Sequence, residues 1–234
     1  MSEKAIAIIT ARGGSKRIPK KNIKEFCGKP IIAYSIKAAL DSGIFDEVMV
    51  STDSEEIAEI ARRYGAEVPF MRSAKTSDDF ATTADVLLEV LERYQEMGRT
   101  FDVMSCIYPT APFVTPEKLR NALNKLQTSD AKMVMPVVQF SYPPQRGYIC
   151  KDQWIEMRWP ENYKKRSQDL EKIYHDAGQF YLYKVADFFK YRGVVMEKIS
   201  SIIVDELEVQ DIDNIIDWKM AELKYQLLWE ENRG

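Results

Sequence analysis

Apolar residues recur along this chain at two periods, and the alternation between them predicts the fold. A β-branched run from Ala5 to Thr10 reads as a buried strand, and Ile32, Ile36, Ala39 and Leu40 form a helical stripe that ends near Ser42-Gly43. Glu47–Ser51 is the second strand. Ser54, followed by Glu55 and Glu56, opens a helix that carries Ile57, Ile60, Ala61 and Tyr64 inward and stops at Gly65. Residues 66–71 read as a third strand, followed by a polar linker to Thr83. A long helix then sets Val86, Leu87, Val90, Leu91 and Tyr94 on one face. Residues 101–108 predict the central strand, Thr115-Pro116-Glu117 a capped helix start, and residues 131–138 another strand. Residues 179–183 and 199–204 complete the strands, with a short helix over 185–191 between them. The last helix carries a stripe of Ile216, Met220, Leu223 and Leu227 that reads as core. The pattern implies an α/β fold with a mostly parallel, helix-covered, Rossmann-like sheet.

The alternation fails over residues 139–172, which hold Tyr142-Pro143-Pro144-Gln145-Arg146, two tryptophans and Lys164-Lys165-Arg166. A structureless loop of that length is unusual inside a compact domain, so it reads as a β-rich arm inserted in a single domain spanning 1–234. A net charge of −3 argues against a nucleic-acid partner. Three scattered cysteines and a single histidine exclude a zinc cluster of standard spacing and point to a reducing compartment. No apolar run approaches a membrane span, and the short one at the start is entered from Glu3 and Lys4, unlike a signal peptide. A cytoplasmic protein without a membrane partner is expected.

The first strand breaks into Arg12-Gly13-Gly14-Ser15-Lys16-Arg17, with Lys20 and Lys21 close behind. Glycines let backbone N–H groups converge on an anion, and so much like charge gathers only where something strongly anionic sits. The loop is neither a P-loop nor a dinucleotide fingerprint, yet it follows the first strand, where open α/β sheets bind ligands. A nucleoside triphosphate fits it. Far along the chain, Asp211 and Asp213 lie two apart and project to one side of an extended segment. They are either Mg²⁺ ligands that act with triphosphate oxygens or acids capping the final helix.

The longer string A-R-G-G-S-K-R-I-P-K-K-N-I-K-x-F-x-G-K-P-I-I resembles the CMP-sialic acid synthetase family, the cytidylyltransferases that activate nine-carbon 2-keto sugar acids. The resemblance extends, with interruptions, across nearly the whole chain. It implies CTP and such a sugar acid as substrates, Mg²⁺ on Asp211 and Asp213, and a homodimer whose arm lends residues to the neighbour's sugar site. Asp217 is then a structural helix acid. The resemblance places Asn22, Arg72, Asp78, Thr82 and Thr83 beside the nucleotide, with Asp53 in support. Where the sialic acid enzymes usually carry Gln-Pro-Thr-Ser-Pro, this chain has Tyr108-Pro109-Thr110-Ala111-Pro112. In Tyr174-His175-Asp176-Ala177-Gly178-Gln179-Phe180-Tyr181, residues His175 to Gly178 stand where those enzymes tend to show Arg-Pro-Asn-Gly. Both departures, with Ser141 to Arg146, resemble the pseudaminic acid branch, and the sialic and legionaminic acid branches are the alternatives. The resemblance thus implies CMP transfer to the anomeric hydroxyl of pseudaminic acid. Arg12, Lys16 and Lys21 would stabilise the triphosphate, with the N–H groups of Gly13, Gly14 and Ser15 helping. Tyr108, Gln145, His175, Asp176 and Gln179 would shape the sugar pocket. Arg146 and Arg166 would pair with the sugar carboxylate. A non-catalytic nucleotide-binding module would instead bind CTP without releasing pyrophosphate.

Overall fold

The computed structural model describes residues 3–230. In its first strand, β1 (Ala5–Thr10), Ala5, Ala7 and Ile9 face one hydrophobic layer while Ile6 and Ile8 face another. A strand buried on both faces needs helices on both sides of its sheet. After the basic loop come a small hairpin, β2 (Glu25–Phe26) and β3 (Lys29–Pro30), then α1 (Ile32–Ser42), β4 (Glu47–Ser51) and α2 (Glu55–Arg63). They are followed by α3 (Thr83–Glu96), β5 (Val103–Ile107), α4 (Pro116–Gln127) and β6 (Met133–Gln139). A second hairpin, β7 (Tyr148–Lys151) and β8 (Trp154–Met157), precedes β9 (Tyr174–Asp176), β10 (Phe180–Lys184), α5 (Val185–Lys190), β11 (Ile199–Ile203) and α6 (Ile215–Glu230). Helices α1, α2 and α4 pack on the Ala7 face of the sheet, and α3 and α5 pack on the Ile8 face.

The seven-stranded sheet has the order β11-β6-β10-β5-β1-β4, with β9 paired to the end of β6. β1 is parallel to β4 and β5, and β11 is parallel to β6. β10 lies between β5 and β6 and is antiparallel to both. Five of the seven strands therefore run one way, and β10 near the middle and β9 at the end of β6 run against them.

Residues 66–71 do not form the expected strand. Glu67 makes an isolated parallel bridge to Met49, and the Arg72 N–H donates to the Thr52 carbonyl. Pro69 lies between them and has no N–H to extend the ladder. The Ile216, Met220, Leu223 and Leu227 stripe is not core either, since these residues are 72%, 45%, 55% and 53% exposed. Helix α6 is apolar on two faces, and the one that packs carries Trp218 and Ala221. The Trp218 ring meets Phe26 edge-on at 5.6 Å, and so large an aromatic surface outweighs an aliphatic stripe. Ile18, Phe26, Phe113, Ile212 and Trp218 form a small core of their own beneath the basic loop and the acid pair. Within 139–172 the β7–β8 hairpin turns at Asp152, which has φ 53°. It leaves Trp154 69% and Ile155 63% exposed.

Candidate active site

Strands β1, β4 and β5 run in the same direction, and their C-terminal ends open onto two adjoining clefts. The first, of about 520 Å³, is lined by Thr10, Arg12, Ser15, Lys16, Lys21, Asn22, Arg72, Asp78, Thr82, Thr83 and Asp213 among others. The second, of about 610 Å³, is lined by Gln139, Ser141, His175, Asp176, Gln210 and Asp211 among others. Tyr108 and Thr110 line both, and the two acids are divided between them.

The basic loop is held by side chains reaching in from elsewhere. Buried Asn22 donates from Nδ2 to the Arg12 carbonyl at 2.8 Å. Arg12 donates to the Asp78 carbonyl at 3.1 Å and to Asp79 Oδ1 at 3.0 Å, while Lys16 Nζ donates to Asp79 Oδ2 at 2.6 Å. Lys16 first and Arg12 second hold the Asp79 carboxyl below its ordinary range. One carboxylate therefore spans two cations at the mouth of the first cleft. The glycines differ from expectation: neither Gly13 nor Gly14 has a positive φ, and neither lines a cleft. The Gly13 N–H donates to Asp53 Oδ1 at 2.7 Å, and the Ser15 N–H donates to the Gly13 carbonyl at 3.0 Å. A Cβ at Gly13 would lie 3.1 Å from Ser54 Cβ, so close packing against the start of α2 is what requires glycine there.

Lys21 joins this loop to the acid segment. Its Nζ donates to the Ile212 carbonyl at 2.7 Å, between the two acids. Burial lowers its pKa, an effect opposed chiefly by Asp213. Arg17 pairs with Asp213 at 2.7 Å. The cap of α6 belongs to other residues: Asn214 Oδ1 accepts the N–H groups of Ile216 and Asp217, and Asp217 Oδ2 accepts those of Asp213 and Asn214. Relieved of capping, the carboxylates of Asp211 and Asp213 are hard oxygen donors of the kind Mg²⁺ takes in pairs, completing its shell with water and phosphate. Among the described residues no larger cluster of His, Cys, Asp or Glu is assembled for a metal. Nearby, Arg72 is buried and donates from Nε and Nη2 to Ser51, and burial lowers its pKa. Thr82 caps α3 in a reciprocal box with Asp85, which occupies its hydroxyl.

In the second cleft the His175 ring lies 4.7 Å from that of Phe140. Asp176 is anchored at both oxygens, accepting the Gly178 N–H at 2.7 Å and the Tyr181 hydroxyl at 2.5 Å. The Tyr181 ring packs edge-on against Tyr108 at 5.6 Å, which ties the wall of one cleft to the boundary of the other. Gln179 does not line this cleft: it is 3% exposed, and its Nε2 donates to the Glu208 carbonyl. Gln145, Arg146 and Arg166 do not line either cleft of their own chain. Their side chains bond within the arm, to the Glu171 carbonyl, Ser167 and Asp169 respectively. The short helical turn of residues 144–146 leads into a hairpin whose first strand is exposed throughout. Lys224 is the cation lining the second cleft among the described residues, and its Nζ is committed to the carbonyls of Glu206 and Val209. Two neighbours went unsingled by sequence reasoning. Asp79 was legible as an acid beside Asp78, and Tyr181 stood at the end of the string from Tyr174 with no role assigned to it.

A sequence profile of the cytidylyltransferase family matches residues 6–205. The chain belongs to the cytidylyltransferase family. This cytidylyltransferase is 41% identical over 225 residues to the pseudaminic acid cytidylyltransferase of Campylobacter jejuni, covering 96% of the chain and 97% of that relative. It is 34% identical over 229 residues to the CMP-N,N'-diacetyllegionaminic acid synthase of Legionella pneumophila, covering 95% and 96%. Among solved structures it resembles a CMP:2-keto-3-deoxy-manno-octonic acid synthetase complexed with CTP, with a TM-score of 0.70 at 18% identity over 97% of the chain and 99% of that structure. At that identity the likeness shows the nucleotidyltransferase fold.

Proposed function

We propose that the enzyme transfers CMP from CTP to the anomeric hydroxyl of pseudaminic acid and releases pyrophosphate. The observation that carries this reading is the pair of adjoining clefts, one cationic and one polar, with Asp213 facing the first and Asp211 the second. That division sets the acids where a nucleotide α-phosphate and a sugar hydroxyl would meet. The anomeric oxygen forms a bond to the α-phosphorus as its proton passes to water, the bond from that phosphorus to the bridging oxygen breaks, and pyrophosphate leaves. Lys21, Arg12 and Lys16 balance the charge on the triphosphate and the departing pyrophosphate. Mg²⁺ held by Asp211 and Asp213 would supply Lewis-acid polarisation and a lowered hydroxyl pKa.

A homodimer belongs to this reading. The exposed β7–β8 hairpin and the exposed stripe on α6 are apolar surfaces that a second copy would cover. Among the described residues the second cleft lacks an uncommitted lining cation for the sugar carboxylate, which Arg146 or Arg166 of a neighbouring arm would provide. Free thiols at all three cysteines fit a cytoplasmic enzyme.

The test is pyrophosphate release with each of the four nucleoside triphosphates against pseudaminic and N-acetylneuraminic acids. The expected result is CTP dependence, with kcat/KM for pseudaminic acid higher by up to roughly 10⁴-fold, because a polar pocket rejects a sugar that leaves its buried donors unpaired. Equal or better use of N-acetylneuraminic acid would overturn the substrate assignment.

A further inference from the structure

Lys118 occupies a position that two physical rules oppose. It is the third residue of α4, after the Thr115 cap, where the helix dipole favours an acid and disfavours a cation. It is also only 8% exposed, and lysine is almost never buried without a partner. The partner is Glu208, whose Oε1 lies 2.9 Å from Nζ, and Nζ also donates to the Phe113 carbonyl at 3.0 Å. Burial lowers the Lys118 pKa, and the bond to Glu208 opposes the shift.

Glu208 is a junction in its own right. Its Oε2 accepts the Asp205 N–H at 3.3 Å, and its carbonyl accepts Nε2 of buried Gln179 at 2.5 Å. The Gln179 carbonyl in turn accepts the Tyr108 N–H at 2.9 Å. Through the Phe113 carbonyl and Glu208, Lys118 bridges two stretches that meet at the clefts, beside the separate link that Gln179 makes between the Glu208 carbonyl and Tyr108. One is the turn after β5, which brings Tyr108 and Thr110 to the boundary; the other is the segment after β11, which brings Val209, Gln210 and Asp211 to the second cleft. Tyr108 is held by an extension of the β5–β10 pairing through Gln179, whereas residues 209–211 lie outside the ladder.

We propose that Lys118 and Glu208 are a positioning pair, setting the separation of the Tyr108–Thr110 turn from the Asp211 segment and with it the width of the second cleft. The inference rests on the proposed use of that cleft for the sugar acid. Loss of the pair should leave the first cleft intact and spoil the second.

The test compares Lys118→Met with the double variant Lys118→Met/Glu208→Gln, which leaves no buried charge unpaired and restores stability lost in the single variant. Thermal unfolding, CTP affinity by calorimetry, product affinity by calorimetry with CMP-pseudaminic acid, and KM for each substrate are read on both. In the double variant, Tm should return to the wild-type value and CTP affinity should match wild type, as in the single variant, while KM for pseudaminic acid and the product dissociation constant stay raised by about 10–100-fold, as for other residues that orient site ligands. A double variant with wild-type sugar KM and product affinity would make the pair a stability feature and overturn the proposal. So would equal weakening of CTP and product, which would point to a general loosening. Wild-type enzyme that bound CTP but did not turn over pseudaminic acid would instead fail the functional reading.

Discussion

Replacing Lys21 with methionine keeps the length of the side chain and removes its charge. In the structure that charge does two things: it holds the Ile212 carbonyl at 2.7 Å, and it sits where the triphosphate is proposed to bind. A hydrogen bond from a charged donor contributes about 1.5–3 kcal/mol, which bounds the stability lost through the carbonyl. Removing a positioned electrostatic donor raises a barrier by about 2.7–4 kcal/mol, or about 10²–10³-fold in kcat. The second effect governs the rate, so kcat should fall by about 10²–10³-fold while KM for the sugar acid changes by less than about 3-fold. The pH profile of kcat/KM for CTP supplies a further check, because it reports groups of the free enzyme. Burial lowers the Lys21 pKa, so the charged form is lost as pH rises at a lower pH than for free lysine, about 10.4. Lys21→Arg, whose guanidinium stays charged, should move that alkaline limb upward. A methionine variant with more than about a tenth of wild-type kcat would refute the reasoning, given the size of the effect expected. So would an alkaline limb that arginine leaves unmoved.

Asp211→Asn and Asp213→Asn should each lower turnover by at least about 100-fold at unchanged Tm, since the charge lost is at the proposed Mg²⁺ site rather than in the cap of α6; steady-state rates and thermal unfolding check this. Asp79→Asn frees Arg12 and Lys16 from a competing carboxylate, so CTP should bind a few-fold more tightly at low salt, and calorimetry should find the difference gone at roughly 1 M salt. Trp154→Glu with Ile155→Lys should turn the proposed dimer into a monomer in sedimentation analysis without weakening CTP binding, because the hairpin lies outside the first cleft.

Most strands and helices could be read from periodicity because each apolar run serves a single layer. Ala5–Thr10 and the Val86 to Tyr94 face are of this kind. Periodicity failed where two patterns competed or where a single residue decided. Pro69 removed a strand, and Trp218 turned α6 away from its aliphatic stripe. The reversed direction of β10 is a matter of topology that no local pattern carries. In the site, the basic loop and the acid pair were legible as unusual clusters of charge. The partners that settle their geometry were not, since Asn22, Asp79 and Asn214 act through contacts set by the tertiary fold. Gln145 and Arg146 were named from a motif and Arg166 from a charged run, and neither signal shows that these side chains bond within the arm instead of lining a cleft of their own chain.

The insertion of β10 between β5 and β6 also dictates an order of assembly. As the chain emerges from the ribosome, β1, β4 and β5 can pair, but β6 has no place beside β5 until residues 180–184 exist. Until then the inner edge of β5 is an unpaired apolar strand, the kind of edge that recruits foreign strands. The 139–172 arm lengthens that interval, because it is made after β6 and before the strand that joins β6 to the sheet. Closure of the sheet is thus a late event between distant segments, which makes folding slow relative to a sheet built from neighbours. Destabilising changes in β10 should accordingly show themselves as aggregation of nascent chains before they show as lost activity of the finished enzyme.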